Sequence, residues 1–153
     1  MRAVIGCDPG TNGAIVLLRE DLTSIVARTE TVEGLLAFLT ATSTDRMFRN
    51  TPCFIEKVQG FPGQGPKTTG ALMKNAGYCE FALTLAHFGT APTTLLPTHW
   101  QKDFGVSSFE GDLSERYRLR KTWISDRVNS LSPIKIVKYA TDAWALAYTQ
   151  LHK

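Results

Sequence analysis

The chain has 153 residues, 43% hydrophobic and 20% charged, a composition typical of a folded protein with a full core. The length predicts a single domain over residues 1–153. Its longest apolar runs are about five or six residues, whereas a membrane-spanning helix needs ~20 and a secretory leader also needs a longer apolar region. We therefore expect a cytoplasmic protein with no membrane partner.

Charge is unevenly distributed along the chain. Residues 1–56 contain five Lys or Arg against seven Asp or Glu, whereas residues 57–153 contain twelve against seven. A basic second part is compatible with a polyanionic partner such as nucleic acid, but solvated helix faces would give the same counts. Charge alone leaves both interpretations open.

The first part of the chain predicts strands. Two apolar runs at residues 3–7 and 14–18 flank a turn rich in Pro, Gly and Asn, which is typical of a hairpin and places Asp8 at the end of the first strand. Residues 24–28 are a candidate third strand. A threonine followed by apolar residues at helical spacing predicts a helix over residues 31–39.

The rest of the chain alternates between the two element types. The predicted elements are a strand at 53–58, a Gly/Pro loop at 59–66, a long packed helix at 68–88, a strand at 93–96, a helical turn capped by Thr98, a helix capped by Ser114 and continuing to about 128, and a last helix from about 140. Together they indicate an α/β fold, a mixed β-sheet covered by α-helices.

Three carboxylates occur in apolar settings. Asp8 and Glu56 each follow a run of strand-forming residues, and Asp142 lies within the apolar start of the last helix. Asp142 shares a helical face with Ala145 and Leu146, so its carboxylate is expected to point toward the sheet. Taken singly, each acid has an ordinary alternative: a turn residue for Asp8, an edge or ion-paired residue for Glu56, and a helix-dipole residue for Asp142.

Convergence of the three would require a cation. Two unit charges ~4 Å apart repel by about 4 kcal/mol at an effective dielectric near 20. Oxygen ligands without a Cys/His cluster favour Mg²⁺ or Mn²⁺ over zinc. Two such ions can activate water and stabilise the departing oxygen of a phosphodiester, so nuclease chemistry is a natural use of such a site.

The segments around these acids resemble a known family. Ile5-Gly6-Cys7-Asp8-Pro9-Gly10-Thr11-Asn12-Gly13, Phe54-Ile55-Glu56-Lys57-Val58 and Thr141-Asp142-Ala143-Trp144-Ala145-Leu146-Ala147 are similar, in order and spacing, to the acidic motifs of RuvC-type Holliday-junction resolvases, notably those of phages. The resemblance implies an RNase H-like fold, a homodimer, and paired nicks across four-way DNA junctions. It also implies that Asp8, Glu56 and Asp142 are catalytic residues and ligands of two Mg²⁺ or Mn²⁺ ions per site, in a protein of a bacterial cell or a phage-infected host.

The chain departs from that family at one position. The family usually has a fourth ligand, Asp or His, three residues before the final Asp, and here this place is Tyr139, preceded by Lys138. Neither is an ordinary Mg²⁺ ligand. The departure concerns how a second ion would be bound, and Lys138 is a candidate phosphate contact instead.

Candidate DNA-binding residues lie in the basic part of the chain. Phe61, in the loop after Glu56, offers an aromatic face for stacking on an unpaired base, although it could equally anchor the loop. The candidate phosphate contacts are Lys57, Lys67, Lys74, Lys102, Lys138 and, within the cluster at residues 116–121, Arg116 and Arg118. That cluster could also be a solvated helix face.

Three other functions remain open from the sequence. The Gly-Cys-Asp-Pro-Gly-Thr segment also resembles the first phosphate loop of sugar-kinase and actin-like ATPases, but the chain is short for their two-lobed cleft and has no second such loop. An RNase H-like nuclease acting on RNA–DNA hybrids would need the same metals. The missing fourth acid makes a non-catalytic binder of branched DNA the third alternative.

Overall fold

A computed structural model of the chain describes residues 2–10, 12–43, 50–59, 65–86 and 90–153. In this part of the chain the elements are β1 (Ala3–Asp8), β2 (Ala14–Arg19), β3 (Ser24–Arg28), α1 (Val32–Ser43), β4 (Cys53–Glu56), α2 (Pro66–Ala86), β5 (Thr93–Leu95), α3 (Pro97–Phe104), α4 (Leu113–Leu131), a 3₁₀ helix (Lys138–Ala140) and α5 (Thr141–Leu151). None of the described helices is long and apolar enough to cross a membrane.

The strands form one mixed sheet in the order β3-β2-β1-β4-β5. β1, β2 and β3 are antiparallel neighbours, which confirms the predicted hairpin and third strand. β4 pairs with β1 in parallel, and β5 pairs with β4 in parallel. The carboxyl ends of β1, β4 and β5 therefore meet at the same edge of the sheet.

Helices cover both faces of this sheet, as the sequence predicts. The strands alternate accordingly: Val4 and Val16 face a cluster that contains α3, α4 and α5, whereas Ile5 and Ile15 face a cluster shared with α1 and α2. α5 lies directly on β1 and β2, and α3 and α4 pack against α5. The core is thus two apolar layers, one on each face.

Gly6 allows α5 to approach β1 closely. A Cβ at this position would overlap the carbonyl oxygen of Ala143 and contact the backbone nitrogen of Ala147. Only glycine therefore lets the first turn of α5 lie against the end of β1. Because Asp142 immediately precedes Ala143, this close approach also places Asp142 near Asp8.

Some predicted details are wrong. Thr98 does not cap α3, because Pro97 occupies the first helical position and the capping residue is Leu96, which makes no side-chain capping bond. Ser114 does not cap α4, because the Asp112 carboxylate accepts the Glu115 N–H at 2.9 Å. The long helix predicted at residues 68–88 is observed as α2, Pro66–Ala86, with residues 87–88 outside the described part of the chain, but its apolar residues are only partly packed.

The outer face of α2 is apolar and exposed. Phe81 and Leu85 are 65% and 62% exposed, and Met73 and Tyr78 are close to half exposed. Cys79 and Leu83 are the buried residues of the helix. Helical periodicity identified the element, but it did not distinguish a face packed on the sheet from one left open to solvent.

Candidate active site

Three carboxylates come together at the carboxyl edge of the sheet. Asp8 is the last residue of β1 and Glu56 the last of β4, and the parallel register, which pairs Cys7 with Ile55, brings the two strand ends side by side. Asp142 lies in the first turn of α5, the helix that packs on β1 and β2, and is buried. The structure therefore places the three predicted site residues in one cluster.

The turn that follows Asp8 is held by Asn75 of α2. The Asn75 Oδ1 accepts the Gly10 N–H at 2.7 Å, and its Nδ2 donates to the Thr29 carbonyl at 2.6 Å. The Thr29 hydroxyl in turn donates to the Gly10 carbonyl at 3.1 Å. These bonds connect the ends of β1 and β3 to α2, so Asp8 stands on a turn that is fixed from two sides.

Glu56 is fixed through both its backbone and its side chain. The strand β4 ends at Glu56, but the Lys57 N–H still donates to the Leu95 carbonyl at 2.7 Å, which extends the β4–β5 pairing past the carboxylate. On the side chain, Oε2 accepts the Trp100 indole N–H at 2.7 Å. Because a single residue separates β5 from α3, Trp100 in the first turn of α3 lies beside the end of β4.

Lys121 of α4 provides the positive charge within this cluster. Its ammonium forms an ion pair with Asp142 Oδ2, and both side chains are largely buried. The other carboxylate oxygen, Oδ1, is buried and has no hydrogen-bond partner among the described residues. Asp142 therefore has one oxygen neutralised by Lys121 and one that remains unsatisfied.

The local electrostatics show excess negative charge. Burial, followed by repulsion from Glu56 and Asp142, raises the pKa of Asp8 well above its ordinary value. Burial and repulsion from Asp142 likewise raise the pKa of Glu56, from 4.5 to about 7, against the lowering effects of the Trp100 hydrogen bond, Lys121 and Arg120. The ionised forms of Asp8 and Glu56 are thus disfavoured by burial and by neighbouring negative charge.

The pKa of Lys121 is also raised, but for a lysine this favours the charged form. Burial disfavours its charged form, but attraction to Asp142 and Asp8 outweighs burial and raises its pKa above the ordinary value. Lys121 therefore remains an ammonium at neutral pH. One such cation among three carboxylates leaves a net negative cluster when all three are ionised.

The three acids offer carboxylate oxygens to a divalent cation. As the side chains stand, no three His, Cys, Asp or Glu residues in the described part of the chain are grouped closely enough to chelate one ion. Asp142 Oδ1 is nevertheless orphaned, and the mutual repulsion of the acids would be relieved by a cation. All-carboxylate donors of this kind fit a hard ion such as Mg²⁺ or Mn²⁺.

The Tyr139 side chain packs against Arg28. Its ring packs under the Arg28 guanidinium, 4.4 Å from the ring centroid, at the end of β3. Lys138 is exposed, and its carbonyl accepts the Thr141 hydroxyl at 2.9 Å at the start of α5. Among the described residues, the cationic group next to Asp142 is Lys121 and not Lys138.

The predicted DNA-binding residues are exposed but scattered. Lys57 follows Glu56 directly, and Lys138 lies one turn before Asp142. Lys102 lies two residues beyond Trp100 on α3, about 200° around the helix, and so faces away from Glu56. The exposed members are Lys57, Lys67, Lys74, Lys102, Arg116, Arg118 and Lys138, whereas Phe61 lies outside the described residues.

Two neighbours of the acids were missed or undervalued by sequence analysis. Trp100 is not among the predicted site residues, and Lys121 belongs to the basic cluster at residues 116–121, for which the sequence leaves a DNA-binding surface and a solvated helix face both open. A signal for Lys121 was present, because it shares the buried stripe of α4 with Ile124 and Val128 at i+3 and i+7. A lysine on an apolar stripe is expected to pair with a buried acid.

Comparison with known proteins identifies the fold. RuvC from T. thermophilus, in complex with a Holliday junction substrate, superposes with a TM-score of 0.56 at 15% identity, covering 97% of this chain and 92% of that one. The chain has the RuvC-like fold. The predicted RNase H-like mixed sheet flanked by helices is thereby confirmed. No family model and no curated protein sequence matches the chain.

Proposed function

We propose that the chain is a metal-dependent endonuclease of the RuvC type, from its phage-like branch, that nicks four-way and other branched DNA junctions in pairs. The whole of residues 1–153 would act as one cytoplasmic nuclease domain. The observation that carries this proposal is the convergence of Asp8, Glu56 and Asp142 at the carboxyl edge of a RuvC-like sheet. The fold alone would not specify an activity.

Asp8, Glu56 and Asp142 are the residues that would hold Mg²⁺ or Mn²⁺. The orphaned Asp142 Oδ1 and the repulsion that raises the pKa of Asp8 both favour a cation there. Bound divalent ions would polarise the scissile phosphate and lower the pKa of an attacking water. Asp8, next to both other acids, is the candidate to be shared if two ions bind.

The basic residues of α4 are the proposed phosphate-binding surface nearest the acids. Arg120 acts electrostatically on Glu56, and its Nε is buried without a hydrogen-bond partner among the described residues. Both Arg120 and Lys121 lie over the Tyr117 ring, at 5.3 and 5.6 Å from its centroid. Arg116 lies one turn earlier on the Arg120 face and would continue the track along a strand.

The remaining cations would hold the arms of the junction. Lys67 and Lys74 are exposed on α2, Lys57 directly follows Glu56, and Lys138 lies one turn before Asp142. Contacts of this kind contribute affinity without sequence information and make binding steeply dependent on salt. Lys102 points away from Glu56, so it would bind DNA only beyond the cleavage site.

A homodimer is the proposed assembly. Paired nicks on opposite strands call for two sites related by a two-fold axis, and closed two-fold dimers are the commonest oligomers. The exposed apolar face of α2, which includes Phe81 and Leu85, is the proposed contact surface. A second copy of the chain packed on this face would bury that row of residues.

One cleavage experiment tests the proposal. A labelled four-way junction, a linear duplex and an RNA–DNA hybrid are incubated with the protein in Mg²⁺, in Mn²⁺ and with a chelator. We expect paired nicks in the junction, dependent on the metal and lost in Asp142→Asn. Faster cutting of the hybrid would instead indicate an RNase H-like enzyme, and tight junction binding without nicking would indicate a binding protein.

A further inference from the structure

Trp100 makes a contact that its burial alone does not require. Its side chain is fully buried within the apolar cluster between the sheet and α5, yet the indole N–H donates to Glu56 Oε2 at 2.7 Å. This length is typical of a strong hydrogen bond to a carboxylate. The bond joins the rigid core to one of the three acids.

The backbone around Trp100 makes the indole a fixed donor. Pro97 starts α3 directly after β5, Trp100 and Phe104 are the buried residues of that helix, and Gly105 in the left-handed conformation ends it. A large ring held on both faces by core side chains has little rotational freedom. The Trp100 N–H therefore has a fixed direction, and rotation of the Glu56 carboxylate would break the hydrogen bond.

Trp144 shows that an indole N–H can be buried in this core without a hydrogen-bond partner among the described residues. Trp144 is equally buried in the same cluster, and its Nε1 has no hydrogen-bond partner among the described residues. The two tryptophans thus share size, burial and environment. They differ in that the Trp100 nitrogen is aimed at a carboxylate of the proposed active site.

We propose that Trp100 is a positioning residue that orients the Glu56 carboxylate by occupying Oε2, leaving Oε1 as the oxygen that faces a bound cation. This inference rests on the proposed function of the acid cluster. Groups that hydrogen-bond a metal-ligating side chain set its orientation, and their loss typically weakens metal affinity or activity by 10–100-fold. The expected effect of removing the indole N–H is of that size.

The test compares Trp100→Phe with Trp144→Phe. Both substitutions remove an indole from the same cluster, so both should lower the melting temperature, but the first alone removes a donor to Glu56. By calorimetric titration with Mn²⁺, we expect Trp100→Phe to bind about tenfold or more weakly than Trp144→Phe. On a four-way junction, kcat should fall by a similar factor while KM for the DNA stays unchanged.

Two results would overturn the inference or separate it from the proposed function. Equal Mn²⁺ affinity of the two variants would show that Trp100 only fills space. Absence of Mn²⁺ binding by the unchanged protein would refute the proposed metal site itself. If Trp100→Phe does not fold, the indole N–H resonances of the unchanged protein provide the test. Mg²⁺ should shift the Trp100 resonance and leave the Trp144 resonance in place. A Trp100 resonance that does not shift counts against the inference.

Discussion

Neutralising Glu56 should stabilise the metal-free protein, and only above a defined pH. Burial and the Asp142 charge raise the pKa of Glu56 from 4.5 to about 7, so the folded state holds this proton more tightly than the unfolded chain does. Below pH 4.5 both states are protonated and the group contributes nothing. Between pH 4.5 and about 7 unfolding releases the proton, so stability falls as the pH rises.

The size of this effect follows from the shift. A change of about 2.5 units at ~1.4 kcal/mol per unit gives a loss of about 3 kcal/mol, complete above about pH 7. Glu56→Gln keeps an acceptor for the Trp100 N–H but cannot ionise, so it should escape that loss. For a chain of this length, 3 kcal/mol corresponds to a rise in melting temperature of about 6–12 °C.

Thermal unfolding of the unchanged protein and of Glu56→Gln, in chelator at pH 5 and pH 8.5, would measure this difference. Glu110→Gln, a change at an exposed glutamate in the loop before α4, is the control for loss of a surface charge. We expect the melting temperature of Glu56→Gln to exceed that of the unchanged protein by little at pH 5 and by much more at pH 8.5. Adding Mg²⁺ at pH 8.5 should narrow this gap. A gap that stays constant with pH would refute the reasoning.

Three further predictions concern the proposed machinery. Asp8→Asn and Asp142→Asn should each abolish junction cleavage but leave junction binding nearly intact; cutting within about tenfold of normal, ~1.4 kcal/mol of barrier, would remove that residue from the site. Phe81→Glu should give a monomer by light scattering, whereas Ile134→Glu, at an exposed apolar residue outside α2, should not; a Phe81→Glu dimer would place the interface elsewhere. Lys121→Met should destabilise the metal-free protein by about 3 kcal/mol in urea unfolding, because it leaves a buried acid unpaired, and saturating Mg²⁺ should recover most of this; an equal loss with and without Mg²⁺ would contradict that account.

The setting of each acid could be predicted because it depends on local and regular features. Asp8 ends a strand that a turn follows, and Glu56 ends another strand. Their convergence was implied only by the resemblance to RuvC-type resolvases, because which strands lie side by side is not a local property. Asp142 required one more step, the helical face it shares with Ala145 and Leu146. All three signals are periodic, and periodicity can be read from a single sequence.

Trp100 and Lys121 could not be assigned in the same way. Whether the Trp100 nitrogen reaches a carboxylate depends on the angle at which α3 leaves β5, and whether Lys121 reaches Asp142 depends on how α4 packs on α5. Both are non-local properties. The cap assignments at Thr98 and Ser114 were wrong for a simpler reason, because neighbouring Pro97 and Asp112 compete for the same role.

The same geometry makes the acid cluster a local source of instability that the rest of the fold must offset. Gly6 lets α5 lie close to β1 and so brings Asp142 toward Asp8, although burial and the neighbouring acids raise the pKa of Asp8. Lys121 compensates only part of this charge, since Asp142 Oδ1 remains unsatisfied. A fold under selection for stability alone would replace one acid with an apolar residue of similar size. The presence of three carboxylates at one sheet edge is therefore an argument for the proposed cation site.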